Sequence, residues 1–160
     1  MIYKGGEHKM KQKQMFLTQS NFLRHLTKSE YKMLREICRY SNNLYNCAVY
    51  EVRQYFFKTN EYIPYEKYYH ICKLNENYKL IQAGVAQQTL KVVERSFKSF
   101  FALLKLKREG KYNEKVRLPK YRKKGDMFNL VLSTNAITIH NGILTIPMSR
   151  AFPNSIKKPK

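Results

Sequence analysis

Acidic side chains are scarce in this chain, and their scarcity limits the chemistry available to it. Metal-dependent nucleases and phosphotransferases need several carboxylates that converge on Mg²⁺. The only aspartate, Asp126, follows Lys-Lys-Gly and is typical of a turn residue. Most glutamates lie one or two residues from Lys or Arg on predicted helices, where surface ion pairs are the ordinary explanation. We therefore expect that this chain by itself catalyses nothing.

Histidines and cysteines give no stronger signal for catalysis or metal binding. The histidines are isolated along the sequence, at His8, His25, His70 and His140. The cysteines are odd in number and widely spaced, at Cys38, Cys47 and Cys72, and they form no C-x-x-C pair. No glycine-rich phosphate loop, nucleophile elbow or H-E-x-x-H motif occurs. The sequence thus predicts no metal site and no cofactor. Cys38 and Cys47, which lie within one predicted helix, are expected to serve as small buried or half-buried apolar groups.

Basic side chains dominate the composition instead. Lys and Arg number 31 against 11 acidic residues, which gives a formal net charge of +20. Such a charge repels itself unless a polyanion neutralises it. The 13 Tyr and 9 Phe would supply stacking surfaces beside phosphate contacts. These features favour nucleic acid as the partner.

An acidic membrane is the rival polyanion, and the sequence disfavours it. No apolar run approaches the roughly 20 residues needed to span a bilayer. The N-terminal stretch 1–14 is basic but lacks the apolar core and cleavage site of a signal peptide. We expect a cytoplasmic protein with no membrane partner and a flexible basic tail over 1–14.

One long helix is predicted over 82–107, and the other elements are arranged around it. Apolar residues recur at helical spacing and form one stripe: Ala86, Leu90, Val93, Phe97, Phe100 and Leu104. A neighbouring face is polar and basic: Gln87, Lys91, Arg95, Lys98 and Lys105. This face is either an ordinary solvated surface or a wall that contacts nucleic acid.

The chain before this helix reads as two further helices. Thr27 and Glu30 fit a capping box at the start of a helix over 28–57, with a break near 41–43 left open because Ser and Asn are poor helix formers. Pro64 suits the first turn of a helix over 65–73. Residues 74–77 read as a turn.

After the long helix the sequence changes character. Residues 111–124 are rich in Lys and Arg and contain Pro119, which predicts a basic, extended connection. Residues 128–132 start a β region. Asn141-Gly142 between the alternating runs 136–140 and 143–146 predicts a hairpin with a type I′ turn. Because two strands are not stable alone, we expect this hairpin to add to another sheet, to pack on the helices, or to continue into chain beyond these 160 residues.

Five stretches of the chain, in order, resemble TnpB, the OrfB-type transposase family of compact RNA-guided DNA nucleases related to type V CRISPR effectors. The matching stretches are LTKSEY at 26–31, SNNLYN at 41–46, AQQTLKVVERSFKSFF at 86–101, LPKYRKK at 118–124 and the hairpin end IPM at 146–148. Each stretch alone is weak, whereas their combination and order are specific. The resemblance covers residues 15–150.

The resemblance implies an α+β fold, mostly α, in which a helical recognition bundle is inserted into a small β wedge domain. The expected segments are a first wedge strand and lead-in at 15–25, a helical recognition domain at 26–110, a basic connection at 111–127, a wedge hairpin region at 128–150 with its hairpin at 136–147, and a basic tail at 151–160. The family's RuvC nuclease domain and zinc ribbon, with their Mg²⁺ and Zn²⁺, are absent from these 160 residues.

The family holds a guide RNA and reads a short transposon-adjacent motif in double-stranded DNA. By local match, Gln87 falls where a helix glutamine contacts motif bases, Tyr65 where an aromatic residue lines the duplex, and Ser133 and Thr134 where a polar pair approaches the DNA. The family has a lysine four residues before this glutamine, where this chain has Ala83, and this difference leaves the motif open. The resemblance also places a basic group against nucleic acid backbone, with RNA expected: Lys120, Tyr121, Arg122, Lys123 and Lys124.

Two other classes of function stay open at this point. A nuclease-free repressor of helical type would bind DNA as a dimer with half-sites one turn apart. No dimer seam is evident in the sequence, so we expect a monomer and rank this second. An enzyme with its own active site ranks last, because the acidic residues are too few.

Overall fold

The computed structural model describes residues 18, 20, 22–133 and 137–153, and within them the fold is α+β and mostly helical, as predicted. Four helices precede one hairpin: α1 (Lys28–Thr59), α2 (Tyr65–Lys73), α3 (Glu76–Leu80), α4 (Ala83–Arg108), β1 (Thr138–His140) and β2 (Ile143–Thr145). The long helices α1 and α4 pack together, and the shorter α2 and α3 lie against both.

Helix α1 begins at the predicted capping box and runs without a break. The Thr27 hydroxyl accepts a hydrogen bond from the Glu30 amide at 3.2 Å, and the Thr27 amide donates to the Glu30 carboxylate at 2.8 Å. The break left open near 41–43 does not occur. Ser41 and Asn42 are fully buried there, and both have side-chain hydrogen-bond partners that offset their low helix propensity.

The core lies where α1 crosses α4. Ala48 on α1 and Ala86 on α4 are fully buried, and their small side chains let larger neighbours fill the interface. The hydroxyls of Ser41 and Thr89 are 3.0 Å apart within this buried interface. Tyr68 brings α2 onto the same core, because its buried hydroxyl donates to the Leu90 carbonyl at 2.9 Å.

Two sequence predictions of local structure were wrong. Part of the turn predicted over 74–77 belongs to the short helix α3, which Asn75 caps by accepting from the Asn77 amide at 2.9 Å. Residues 128–132 form no strand; Phe128, Leu130 and Leu132 pack against the helical core, and the Phe128 amide donates to the Cys38 carbonyl at 3.0 Å. In both places packing on neighbouring helices outweighed the local sequence pattern.

The predicted hairpin is present, with shorter strands. Thr138 pairs with Thr145 and His140 with Ile143 in antiparallel register. Asn141 (φ 49°) and Gly142 (φ 75°) occupy the left-handed region that a type I′ turn requires. Ile143 lines a cavity of about 350 Å³ together with Leu23, so the lead-in segment lies near the hairpin.

The edges of the predicted segments fall partly outside the described residues. The tail 1–14, positions 15–17, 19 and 21 of the predicted first wedge strand and lead-in, and positions 134–136 and 154–160 lie there. The predicted basic tail starts at 151, but Phe152 is buried. Its ring meets the Tyr40 ring edge-on, with their centres 6.0 Å apart. The packed chain therefore continues into that segment. In the described part of the chain, no helix is long and apolar enough to cross a bilayer.

Candidate nucleic-acid interface

The backbone of residues 120–124, which we call the basic segment, is fixed to α1 by two asparagines. The side-chain Nδ2 of Asn46 donates to the Arg122 carbonyl at 3.0 Å, and its Oδ1 accepts from the Arg122 backbone N–H at 2.8 Å. One turn earlier on α1, the buried Asn42 donates to the Lys123 carbonyl at 3.0 Å. Because α1 supplies these partners, the basic segment is held in one conformation without being part of a sheet or helix.

Arg122 points its guanidinium back into the protein. Its Nε donates to the Asn42 side-chain oxygen at 3.0 Å, and an Nη donates to the Met127 carbonyl at 3.1 Å. The guanidinium also lies 4.8 Å from the centre of the Phe128 ring and 3.7 Å from the Asp126 carboxylate. Arg122, one of the predicted backbone-binding residues, thus has much of its donor capacity used in docking the segment.

The lysines of the basic segment point the other way. Lys120, Lys123 and Lys124 are exposed, and no ion pair to a described carboxylate involves them. A turn follows Lys123, closed by the Asp126 amide donating to the Lys123 carbonyl at 3.2 Å, with Gly125 at φ 78°. Asp126 is the turn residue that the sequence predicted.

Arg53 holds the N-terminal end of the basic segment. Its Nη1 donates to the Pro119 carbonyl at 2.9 Å. Its guanidinium lies 5.1 Å from the centre of the Tyr121 ring and 5.4 Å from that of Phe57. The predicted site residue Tyr121 is therefore stacked on an arginine while 46% of it stays exposed.

The basic face of α4 is exposed, as predicted. Lys91, Arg95 and Lys98 all lie on the surface. Lys98 pairs with Glu94 at 2.6 Å, an exposed helix pair that contributes little to stability. These side chains are accessible to a phosphate backbone, and whether they contact one stays a prediction.

Gln87 and Tyr65 lie in one connected aromatic cluster between α2, α3 and α4. The Tyr65 ring stacks on the Tyr69 ring with their centres 5.7 Å apart. The Tyr69 ring also meets the Tyr78 ring edge-on, with their centres 6.1 Å apart. Burial raises the pKa of Tyr65 and of Tyr78 to about 12, and the nearby Gln87 side chain opposes part of the rise in the pKa of Tyr78. Gln87 is half-buried and engaged with this cluster, so the structure brings these two predicted residues into the same neighbourhood.

The predicted polar pair at 133–134 is only partly described. Ser133 is exposed, and Thr134 lies outside the described residues. No described contact joins Ser133 to the basic segment or to the tyrosine cluster. Its role in DNA approach stays a prediction.

Sequence reasoning missed the residues that hold the basic segment in place. Asn42, Asn46 and Arg53 follow one another at spacings of four and seven residues, which puts them on one face of α1. The signal was present in the SNNLYN stretch, which carried the resemblance but was given no structural role. Two of the stretches that resemble TnpB, 41–46 and 118–124, are thus in direct contact.

Neither a metal-binding cluster nor a match to known proteins adds to the description of this interface. Among the described residues, no group of three or more His, Cys, Asp or Glu side chains is placed to hold a metal ion. No model of a known protein family matches the chain, and no curated protein matches it significantly.

Proposed function

We propose that this protein binds nucleic acid through the basic segment and the adjoining helices, as the recognition and wedge portion of a TnpB-type RNA-guided nuclease. In this proposal it holds a guide RNA and reads a short motif in double-stranded DNA. The proposal rests on the ordered resemblance of five stretches and on the net charge of +20. It places the protein in the cytoplasm, as a monomer.

The observation that carries the proposal is the arrangement of the basic segment. Its backbone is held by buried or half-buried side chains of α1, while Lys120, Lys123 and Lys124 face solvent. A solvated charged loop needs no such support, since water satisfies its backbone groups. Lysines on a fixed backbone lose less conformational freedom when they meet a phosphate chain, which favours binding.

The two surfaces would have different tasks. Lysines of the basic segment contribute affinity that depends on salt and carries no sequence information. Gln87 can form paired hydrogen bonds to an adenine edge in the major groove, worth about 1–3 kcal/mol of discrimination. A glutamine amide has two donors and an acceptor with two lone pairs, so the contact with Tyr78 leaves capacity for a base. This chain would bind, and the carboxylates that cut would belong to another part of such a nuclease.

The test compares two variants in salt-dependent binding assays. Lys123→Ala with Lys124→Ala should weaken binding to every duplex and flatten the plot of log K against log salt by about 2, near one for each phosphate that is no longer neutralised. Gln87→Ala should blunt sequence preference and leave the salt slope nearly unchanged.

A matched control separates position from charge. Lys28→Ala with Lys32→Ala removes the same charge from exposed positions in the first turns of α1, away from the basic segment in sequence. We expect this control to change the slope by less than half as much. Equal slopes for the two lysine pairs would contradict the assigned surface, and a stable dimer with a palindromic footprint would favour the repressor function instead.

A further inference from the structure

A groove of about 450 Å³ opens beside the basic segment, between α1 and the residue that caps α3. Its lining is mixed aromatic and polar: Asn46, Cys47, Tyr50, Glu51, Asn75 and Tyr121. A volume of this size lies within the range of small-molecule sites in proteins. The groove is therefore large enough for one planar heterocycle.

A row of two exposed aromatic side chains with a half-buried arginine between them leads to this groove. Tyr50, Arg53 and Phe57 are spaced by three and four residues and share one face of α1. Arg53 lies between the Phe57 ring and the Tyr121 ring. Tyr50 is 51% exposed and Phe57 60% exposed, so part of each ring is accessible to a partner. Aromatic faces beside lysines form the usual platform for unstacked bases.

Glu51 gives the groove a specific polar group. In a chain with 31 basic and 11 acidic residues, its carboxylate forms no ion pair with any described residue. Glu51 lines an adjoining pocket together with Cys47 and Cys72, and its charge adds to burial in raising the pKa of both thiols. An unpaired carboxylate can accept two parallel N–H bonds from one planar partner.

We propose that this surface binds a single-stranded nucleic acid and that the groove takes one unpaired guanine from it. The bases stack on Phe57, Tyr121 and Tyr50, and the phosphates meet the exposed lysines of the basic segment. Guanine is the base whose Watson–Crick edge offers two adjacent N–H donors, and these donate to the Glu51 carboxylate. A duplex would hide both its base faces and this edge, so a single strand fits the surface better. The inference rests on the proposed function and adds a subsite to it.

The absence of tryptophan from the sequence allows a direct test. Tyr50→Trp keeps a stacking side chain at an exposed position and gives the chain a single tryptophan. Its fluorescence should be strongly quenched when a uridine-rich RNA of about twelve nucleotides with one central guanine binds. Phe57→Trp should respond in the same way, whereas Tyr31→Trp, which is exposed near the start of α1, should not respond.

The guanine subsite is tested with base analogues in the same strand, as RNA and as DNA. Inosine lacks the exocyclic amino group and should bind about tenfold more weakly than guanine, since it loses a hydrogen bond to a charged acceptor. 7-Deazaguanine keeps the Watson–Crick edge and should bind like guanine. In Glu51→Gln the strands with guanine and with inosine should bind with equal affinity. If Glu51 had only a structural role, the roughly tenfold difference in affinity would stay unchanged in this variant. If the preference for guanine over inosine is larger in RNA than in DNA, the site takes RNA; the opposite result identifies single-stranded DNA.

Failure of this inference can be told apart from failure of the proposed function. If the protein binds nucleic acid with a steep salt dependence, but the tryptophans at 50 and 57 are not quenched and guanine equals inosine, the subsite is refuted and the basic segment is not. If no nucleic acid binds at all, both are refuted. Quenching without a guanine preference overturns the Glu51 assignment.

Discussion

Replacing Asn42 with alanine should cost about 3 kcal/mol of stability, because one buried side chain makes two of the bonds that hold the basic segment. Its Nδ2 donates to the Lys123 carbonyl at 3.0 Å, and its Oδ1 accepts from the Arg122 guanidinium at 3.0 Å. A neutral hydrogen bond contributes about 1 kcal/mol and one to a charged group about 1.5–3 kcal/mol. For a chain of this length, the midpoint of thermal unfolding should fall by roughly 6–12 °C.

Urea denaturation followed by circular dichroism measures this change as a lower midpoint with an unaltered slope. The matched control is Asn43→Ala, the next residue on α1, which is half-buried and donates only to Asn77 at 3.2 Å. We expect that control to cost about 1 kcal/mol. Since the bond between Asn42 and Arg122 is lost in either single variant, Asn42→Ala with Arg122→Ala should cost about 1–2 kcal/mol less than the two added together.

The reasoning is refuted if Asn42→Ala costs no more than Asn43→Ala and the double-variant cycle shows no coupling. The contact also has a functional consequence that can be measured on the same proteins. In Asn42→Ala the basic segment keeps its bonds to Asn46 and Arg53 but loses those at the Lys123 carbonyl and the Arg122 guanidinium. Its lysines are then held less firmly, and affinity for single-stranded RNA should fall even though no positive charge was removed. Unchanged affinity in a destabilised Asn42→Ala protein would show that the fixed backbone is irrelevant to binding.

Three further predictions concern the supporting structure. Thr27→Ala removes the hydroxyl half of the capping box, while the backbone amide at position 27 can still donate to the Glu30 carboxylate; it should lower the free energy of unfolding by about 1 kcal/mol, whereas Ser29→Ala should have little effect in the same denaturation assay. Ser41→Leu forces a larger side chain into the fully buried contact with Thr89 and should cost about 1–3 kcal/mol or more, while Ser41→Ala should cost about 1 kcal/mol. Burial raises the pKa of Tyr78 from 10.0 to about 12. The contribution of this residue to stability is therefore complete below pH 10 and is lost as the pH rises from 10 towards 12. In an alkaline titration, the absorbance of tyrosinate should show a late phase that coincides with unfolding, and this phase should be smaller in Tyr78→Phe.

Local signals in the sequence were sufficient for most of the helices. The capping residues Thr27 and Glu30, Pro64 before α2 and the helical periodicity over 82–107 define boundaries within two residues of those observed. The hairpin turn was equally readable, because Asn141 and Gly142 tolerate positive φ where most residues do not. These features depend on neighbours a few residues away, so an isolated stretch already contains the information.

The candidate site was predicted less completely. The sequence identified the basic segment and the exposed face of α4, since both are visible as charge and period. It did not reveal that Arg122 faces inward or that Gln87 lies against Tyr78. A pattern of charged residues shows which side chains are present but not the direction in which they point. The directions of Arg122 and Gln87 depend on contacts with α1 and α3.

By itself, the sequence determined that this protein is a strongly cationic, mostly helical chain with a β-hairpin at Asn141-Gly142, because composition, periodicity and turn chemistry are local properties. Only the tertiary structure decided which lysines face solvent. Asn42 and Lys123 are separated by 81 positions, and Asn46 and Arg122 by 76, yet their hydrogen bonds fix the surface. A pairing over that distance exists only after α1 and α4 have packed and brought the chain that follows α4 back along α1, which no short stretch of sequence can specify.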